Sequence, residues 1–338
     1  MAKGTISICF VEALLDGVRQ RGFDAGELLA ESGISPSLLG LAHARVSAAL
    51  YTVLVRLVVQ TLDDEFFGQD SRRMKVGSFA MLGHAVIHCR TLEKALARAL
   101  RFFALCLDDL GGELSHSGGM ARLVLREAYP DQPARVFAHE TILMFVHRLA
   151  CWLVNRRIPI LSADFRYDAP PHVAEYALLF SSKVQFGQPK TALSFDARYL
   201  DMPVVRTERA LKEFLRIAPE NLLVQYKDSH SIGARLRRHL RPLPPEEWPS
   251  FEVMAVELGQ SPSTLRRRLE AEGQSYQLIK DHLRRDMAIN ALSETGKSVM
   301  EIAADLGFAE PSAFHRAFKK WTGAKPGEYR RRVRATPV

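Results

Sequence analysis

Residues 298–330, reading SVMEIAADLGFAEPSAFHRAFKKWTGAKPGEYR, restrict what this chain can fold into more than any other stretch. They are two short helical patterns broken at Gly307. In the second pattern Phe314, Phe318 and Trp321 recur at i, i+4 and i+7, the spacing of a buried helical stripe, while Ser312, His315, Arg316 and Lys319 share another side. In the first, Val299, Ile302, Ala303 and Leu306 repeat at helical spacing. Gly307 then supplies a residue able to take the positive φ of a tight helix-to-helix turn. Pro311 suits the first turn of a new helix, where its missing N–H costs nothing. The stretch predicts a helix-turn-helix with the later helix in the recognition position.

The same device occurs earlier. Residues 251–258 read as a helix ended by Gly259, and 263–272 as a second helix with Leu265 and Leu269 inward and Ser263, Arg266 and Arg267 outward. Between the two devices lies a helix predicted over 276–294, carrying Leu278, Ile279, Leu283, Met287, Ile289 and Leu292. At 1.5 Å per residue those nineteen residues span roughly 28 Å, against about 34 Å between successive major-groove faces of B-DNA. One chain can therefore place two helices in adjacent major grooves and read an asymmetric site.

Charge agrees with this reading. The chain carries a net +8, and from Gln225 onward it holds 20 Lys and Arg against 14 Asp and Glu, whereas the preceding residues hold 26 against 24. A basic C-terminal third is the electrostatic footprint of nucleic-acid binding, although a membrane-surface domain would show the same sign. Arg266, Arg267 and Arg316 are the expected base readers, because the guanidinium fork matches the O6 and N7 acceptors of guanine. Ser263, Ser312 and His315 permit close approach and add contacts. Lys319, Lys320 and the run Arg330, Arg331 and Arg332 position the duplex through phosphates, a contribution that falls with salt. For each residue the bland alternative is a solvated helix face.

The first 205 residues have another texture. Helices are expected over 8–21 and 24–32, with breaks at Gly22 and Gly33, then from Pro36 and over 46–62. Around 77–103 Thr91 is a plausible N-cap for a stripe of Leu92, Ala95, Leu96, Ala99 and Leu100. Residues 113–116 and 121–127 alternate about Ser117, Gly118 and Gly119, a β-hairpin signature. Residues 136–154 return to helix, 159–167 read as strand, 172–180 as helix, and 184–186 and 192–195 as short strands. Residues 206–240 read as a connecting helix, closed by RPLPPEEWPS, whose four prolines in ten residues forbid a continuing helix.

The expected fold is thus an α+β N-terminal domain followed by an all-α C-terminal domain with two helix-turn-helix units joined by a long helix. The expected domains are an effector-binding or oligomerisation domain over 1–205, a connecting helix and Pro-rich linker over 206–250, and a DNA-binding domain over 231–332. Within the last, the helix-turn-helix units fall at about 251–272 and 298–322.

Little points to chemistry. Cys9, Cys89, Cys106 and Cys151 are widely spaced and predict reduced thiols. His84 and His88 form an i, i+4 pair without HExxH and without a carboxylate beside them in the chain, so no metal is expected. Asp108 and Asp109 end a helix and suit a turn better than acid/base work. The glycines between Gly77 and Gly83 lack the Lys-Ser/Thr of a phosphate loop. No nucleophile motif appears, so neither catalysis nor a cofactor is expected. No uninterrupted apolar run reaches about 18 residues, and Glu12 and Asp16 interrupt the N-terminus too early for a signal peptide. The reading is a cytoplasmic protein without a membrane partner.

The run AINALSETGKSVMEIAADLGFAEPSAFHRAFKKWTGAKPGEYR closely resembles the C-terminal signature of the AraC/XylS family of bacterial transcription regulators. Ile302, Ala303, Gly307, Phe308, Phe314, Phe318, Gly323, Pro326 and Tyr329 stand where that pattern expects them, and the likeness covers about 231–332. Arg285 departs from it, since many relatives carry an aliphatic residue there. GSFAMLGHAVIHCRTLEKAL and VQFGQPKTALSFDARYLDMPV resemble a subclass with an arabinose-binding-like N-terminal domain. The resemblance implies a sequence-specific regulator of promoter DNA, an activator more often than a repressor. It also implies RNA polymerase as a partner, a small-molecule effector at the N-terminal domain, and a possible homodimer. The alternative is an effector-independent regulator whose N-terminal domain serves dimerisation or a protein partner; a DNA-associated enzyme is the remote third.

Overall fold

Helix breakers and N-caps divide the chain into the elements of a computed structural model, which describes residues 4–41, 43–181, 183–216, 232–272 and 274–334. The first half contains β1 (Thr5–Ser7), α1 (Ile8–Gln20), α2 (Ala25–Ser32), β2 (Arg45–Ser47), α3 (Ala48–Leu62), α4 (Ser78–Ile87), α5 (Leu92–Cys106), β3 (Leu110–Ser117), β4 (Met120–Glu127) and α6 (Val136–Leu153). There follow β5 (Ile160–Asp164), α7 (Tyr176–Leu179), β6 (Val184–Gln185), β7 (Ala192–Asp196) and α8 (Glu208–Leu215). The C-terminal part is helical: α9 (Ile232–Leu240), α10 (Phe251–Glu257), α11 (Pro262–Ala271), α12 (Tyr276–Glu294), α13 (Val299–Asp305), α14 (Pro311–Thr322) and α15 (Pro326–Arg334). The expected α+β and all-α parts are both present. Of the connecting helix expected over 206–240, the described residues contain the separate helices α8 and α9, and 217–231 lie outside the described residues.

These elements gather into two compact units. One comprises Met1–Glu12, Gly26–Leu54 and Lys227–Val338; the other comprises Ala13–Ala25 and Val55–Tyr226.

The second unit is built around α6, whose residues are almost all buried, Glu140 and His139 included. Phe145 at its centre receives Phe66, Phe67 and Phe79 edge-on at centroid distances of 6.5, 6.2 and 5.4 Å, the arrangement aromatic quadrupoles favour. This 18-residue helix is apolar and long enough to cross a membrane, but burial within the unit makes it a core helix. A five-stranded sheet has the order β3-β4-β7-β5-β6, antiparallel except between β5 and β6. The predicted hairpin closes with Ser117 opposite Met120, and Gly118 and Gly119 both have positive φ, as a two-residue turn of this hand requires. Thr91 caps α5, accepting the Lys94 N–H, and the predicted stripe from Leu92 to Leu100 is buried.

Two local expectations are corrected. Val46 and Ser47 are extended rather than helical: they belong to β2, which pairs with β1 from Thr5↔Ser47 to Ser7↔Arg45, and α3 starts only at Ala48. The helix expected from Pro36 is a single 3-10 turn, Pro36–Leu38.

Candidate nucleic-acid interface

The first helix-turn-helix is α10 and α11. Ser250 caps α10 by accepting the Val253 N–H. Gly259, at φ 67°, ends the turn with its N–H on the Val256 carbonyl. Ser261 then caps α11, accepting the Thr264 N–H, and Pro262 opens that helix. Leu265 and Leu269 are buried in a core with Ile232, Leu236, Leu240, Trp248, Met254, Ile279 and Leu283. On the opposite side Ser263, Arg266 and Arg267 are exposed. The Arg266 guanidinium lies 5.6 Å from the Phe251 ring centroid, a cation–π contact that holds the charge near the surface without burying it.

The second unit, α13 and α14, repeats the plan. Ser298 and Glu301 form a reciprocal capping box, satisfying two backbone donors that would otherwise lack partners. Gly307 turns the chain at φ 71°, with its N–H on Ala304 and the Phe308 N–H on Ala303. Pro311 opens α14, and Phe314 and Phe318 are fully buried, 5.6 Å apart. Trp321, expected in the same stripe, is half-buried and sits edge-on to Phe308. Ser312, His315, Arg316, Lys319 and Lys320 are all exposed. Ser312 is engaged, donating to Glu310 at 3.0 Å.

The geometry adds Arg284, which the helical pattern did not single out. From the middle of α12 its guanidinium lies 5.1 Å from the Trp248 ring and 5.8 Å from Phe308, and its Nε donates to the Leu306 carbonyl at 3.2 Å. It therefore touches the turn of the second helix-turn-helix and Trp248, which packs in the core of the first. Glu310, which the helical pattern did not single out, is the N-cap residue of the second recognition helix, and its carboxylate accepts the Ser312 hydroxyl at 3.0 Å. Arg285, the departure from the expected pattern, is mostly buried and pairs with Asp286 at 3.3 Å.

Comparisons with known proteins meet this geometry from both ends of the chain. A helix-turn-helix domain model matches residues 254–332, and a model described as the arabinose-binding domain of AraC transcription regulator, N-term, matches 22–204, over half of the chain. The chain belongs to the AraC family of transcription regulators. The ornithine utilization regulator of Pseudomonas aeruginosa is 31% identical over 326 residues, 96% of each chain. The regulator VirS of Mycobacterium tuberculosis is 27% identical over 323 residues, 93% of each. The solved structure of the transcriptional regulator CdpR from P. aeruginosa aligns with 95% of this chain and 97% of that one, at 19% identity and a TM-score of 0.32.

The remaining candidates in this AraC-family regulator have structural roles. Glu208 of α8 approaches the His84 and His88 pair, at 3.5 Å from His84 Nδ1 and 2.9 Å from His88 Nε2. The carboxylate missing from the local sequence thus comes from 120 residues away. All three side chains are about half exposed or more, and no group of three or more His, Cys, Asp or Glu arranged to hold a metal occurs among the described residues. Asp109 accepts from the Ser71 N–H and hydroxyl at 2.8 and 2.7 Å and from Arg135 at 2.9 Å. Burial pushes its carboxyl up, but these donors outweigh it and leave the group below the ordinary carboxylate range. It ties a loop in place. The four cysteines are free thiols.

A polar nest lies beside α6 in the compact unit that this helix centres. Glu140, buried in α6, accepts from His172 at 2.7 Å and from the Tyr176 hydroxyl, which lies 3.1 Å from that of Tyr167. Phe165, Phe180 and Phe186 pack around Tyr176 at 4.9 to 5.4 Å. His139 faces Thr191 at 3.0 Å, and its pKa is lowered to about 4 by burial, reinforced by Arg166. Glu127 stands 3.4 Å from His139 and pairs with Arg166 at 2.7 Å.

Proposed function

We propose that the chain is a cytoplasmic, effector-controlled activator that reads an asymmetric promoter site with both recognition helices of one chain. Arg266, Arg267 and Arg316 are assigned to guanine edges, Ser263, Ser312 and His315 to close approach, and Lys319 and Lys320 to phosphates. The observation that carries the reading is the repetition of one device: a seven-residue helix, a positive-φ glycine, a proline-opened helix with a buried i, i+4 pair, and an exposed basic face. Two faces of this kind on a shared connecting helix suit two successive grooves. RNA polymerase is the partner through which activation would act.

For the effector, support comes from the separate α+β unit and from the likeness to an ornithine utilization regulator along nearly the whole chain. A small amino acid, with ornithine first, is the proposed class. The test is a gel shift on a duplex selected by the full chain from a random library, with and without ornithine and related amino acids, alongside thermal unfolding. A ligand at about 100 times its Kd raises stability by about 2.7 kcal/mol. Specific binding with a ligand-induced change supports the proposal. Specific binding unmoved by any amino acid favours an N-terminal unit serving dimerisation or a protein partner, and failure to select any duplex overturns the DNA-reading assignment.

A further inference from the structure

A ribbon of two three-residue strands is too small to be stable by itself, yet every residue of β1 and β2 except Ile6 is buried. What covers the ribbon belongs to the same compact unit as the DNA reader, which draws together the first twelve residues, residues 26–54 and the C-terminal third. Thr5 donates its hydroxyl to Asp286 of the connecting helix α12 at 2.6 Å. Arg45, buried in β2, donates Nε to the Thr5 oxygen at 2.9 Å and Nη2 to the Thr5 carbonyl at 3.1 Å. Asp286 also receives Arg285. A polar chain therefore runs from Arg45 through Thr5 to Asp286 and Arg285.

A second set of contacts reaches the elements after the distal recognition helix. Tyr329 of α15 is fully buried and donates its hydroxyl to the Arg45 carbonyl. Ser37 donates to the Arg332 carbonyl at 2.9 Å. The His43 ring lies against Gly323, whose left-handed backbone ends α14; a Cβ there would stand 3.5 Å from His43 Cδ2. Phe318 of the recognition helix packs edge-on to Tyr329 at 5.4 Å. The N-terminal segment thus grips the connecting helix at Asp286, the end of the recognition helix at Gly323, and the terminal helix at Tyr329.

We propose that residues 4–12, 26–41 and 43–47 are a positioning clasp of the DNA reader, fixing the second helix-turn-helix against the connecting helix so that the distal half of the site is read. Thr5, Arg45, Asp286 and Tyr329 are its positioning residues. The proposal rests on α14 being the distal recognition helix. Removing one clasp hydrogen bond leaves the buried cores of both units intact but loosens α14 and α15 relative to α12. Distal contacts weaken first, because their entropy of ordering is no longer met within the free protein.

The test is hydroxyl-radical footprinting and affinity measurement with the full chain on a duplex selected by the wild type. Tyr329→Phe removes a single oxygen, and Asp286→Ala removes the Thr5 acceptor, whereas Asp286→Asn keeps a side-chain oxygen to accept from Thr5. Tyr329→Phe and Asp286→Ala are expected to weaken binding about fivefold to tenfold, the scale of one hydrogen bond, with protection fading over the distal patch only. Asp286→Asn is expected to bind within about twofold of the wild type, on the same scale. Equal fading of both patches, or undiminished distal protection, overturns the clasp. Should Asp286→Ala fail to fold, Tyr329→Phe carries the test alone. A wild-type footprint with one patch instead overturns the two-helix reading beneath the clasp.

Discussion

Arg316 stands exposed on α14, two residues before the buried Phe318, so its removal changes the outer face without opening the core. Arg316→Ala is expected to cost about 1–3 kcal/mol on the selected site and to relax one base position; equal loss on random DNA would make Arg316 a phosphate contact. Desolvated histidines set a pH dependence, His139 buried and His147 and His282 partly so. His139 and His147 are lowered to about 4 and His282 to about 3, each first by burial. Their folded pKa values lie below the unfolded value of about 6.5, so the stability they allow is complete above about pH 6.5 and is lost as pH falls toward 4. Each costs about 1.4 kcal/mol per pH unit in that window. Thermal unfolding at pH 7.5 and pH 5.5 should show a clear fall, and an unchanged midpoint would mean that these imidazoles are solvated. The exposed faces were legible because helical periodicity needs only neighbours in the chain. Glu208 beside His84 and His88, and Arg284 between Trp248 and Phe308, were not, because their partners are distant in sequence.

Connecting helix α12 is more than a spacer, since Arg284 at its middle lies over Trp248, a core neighbour of the first helix-turn-helix, and donates to Leu306 in the turn of the second. Cation–π contacts of this kind are worth about 0.5–2 kcal/mol. Arg284→Ala should therefore loosen the relative placement of the recognition helices. The measurable outcome is spacing tolerance: the wild type should reject a one-base-pair insertion between half-sites more strongly than the variant does. Identical rejection by both would show that Arg284 does not couple the units. Elements opened by a hydroxyl N-cap, such as α5 after Thr91 and the seven-residue α13 after Ser298, begin where the sequence places them. Strands β1 and β2 escaped because three residues carry no readable alternation and their pairing joins positions about forty residues apart.

At the scale of the whole chain, the α+β and helical parts follow the change in texture along the sequence, and the two helix-turn-helix devices recur as expected. What linear order hides is that Gly26–Leu54 gathers with the C-terminal third rather than with the rest of the N-terminal part. Within that grouping Ser37 and Arg45 meet the terminal helix through Arg332 and Tyr329, contacts that leave no periodic trace. On the proposed reading, one chain carries a complete bipartite reader. Hydroxyl-radical footprinting at one chain per selected duplex tests it directly. Two protected patches are expected about one helical turn apart, roughly 10–10.5 base pairs, over a sequence without two-fold symmetry. A single patch, or a palindromic site protected only when two chains bind, would contradict it.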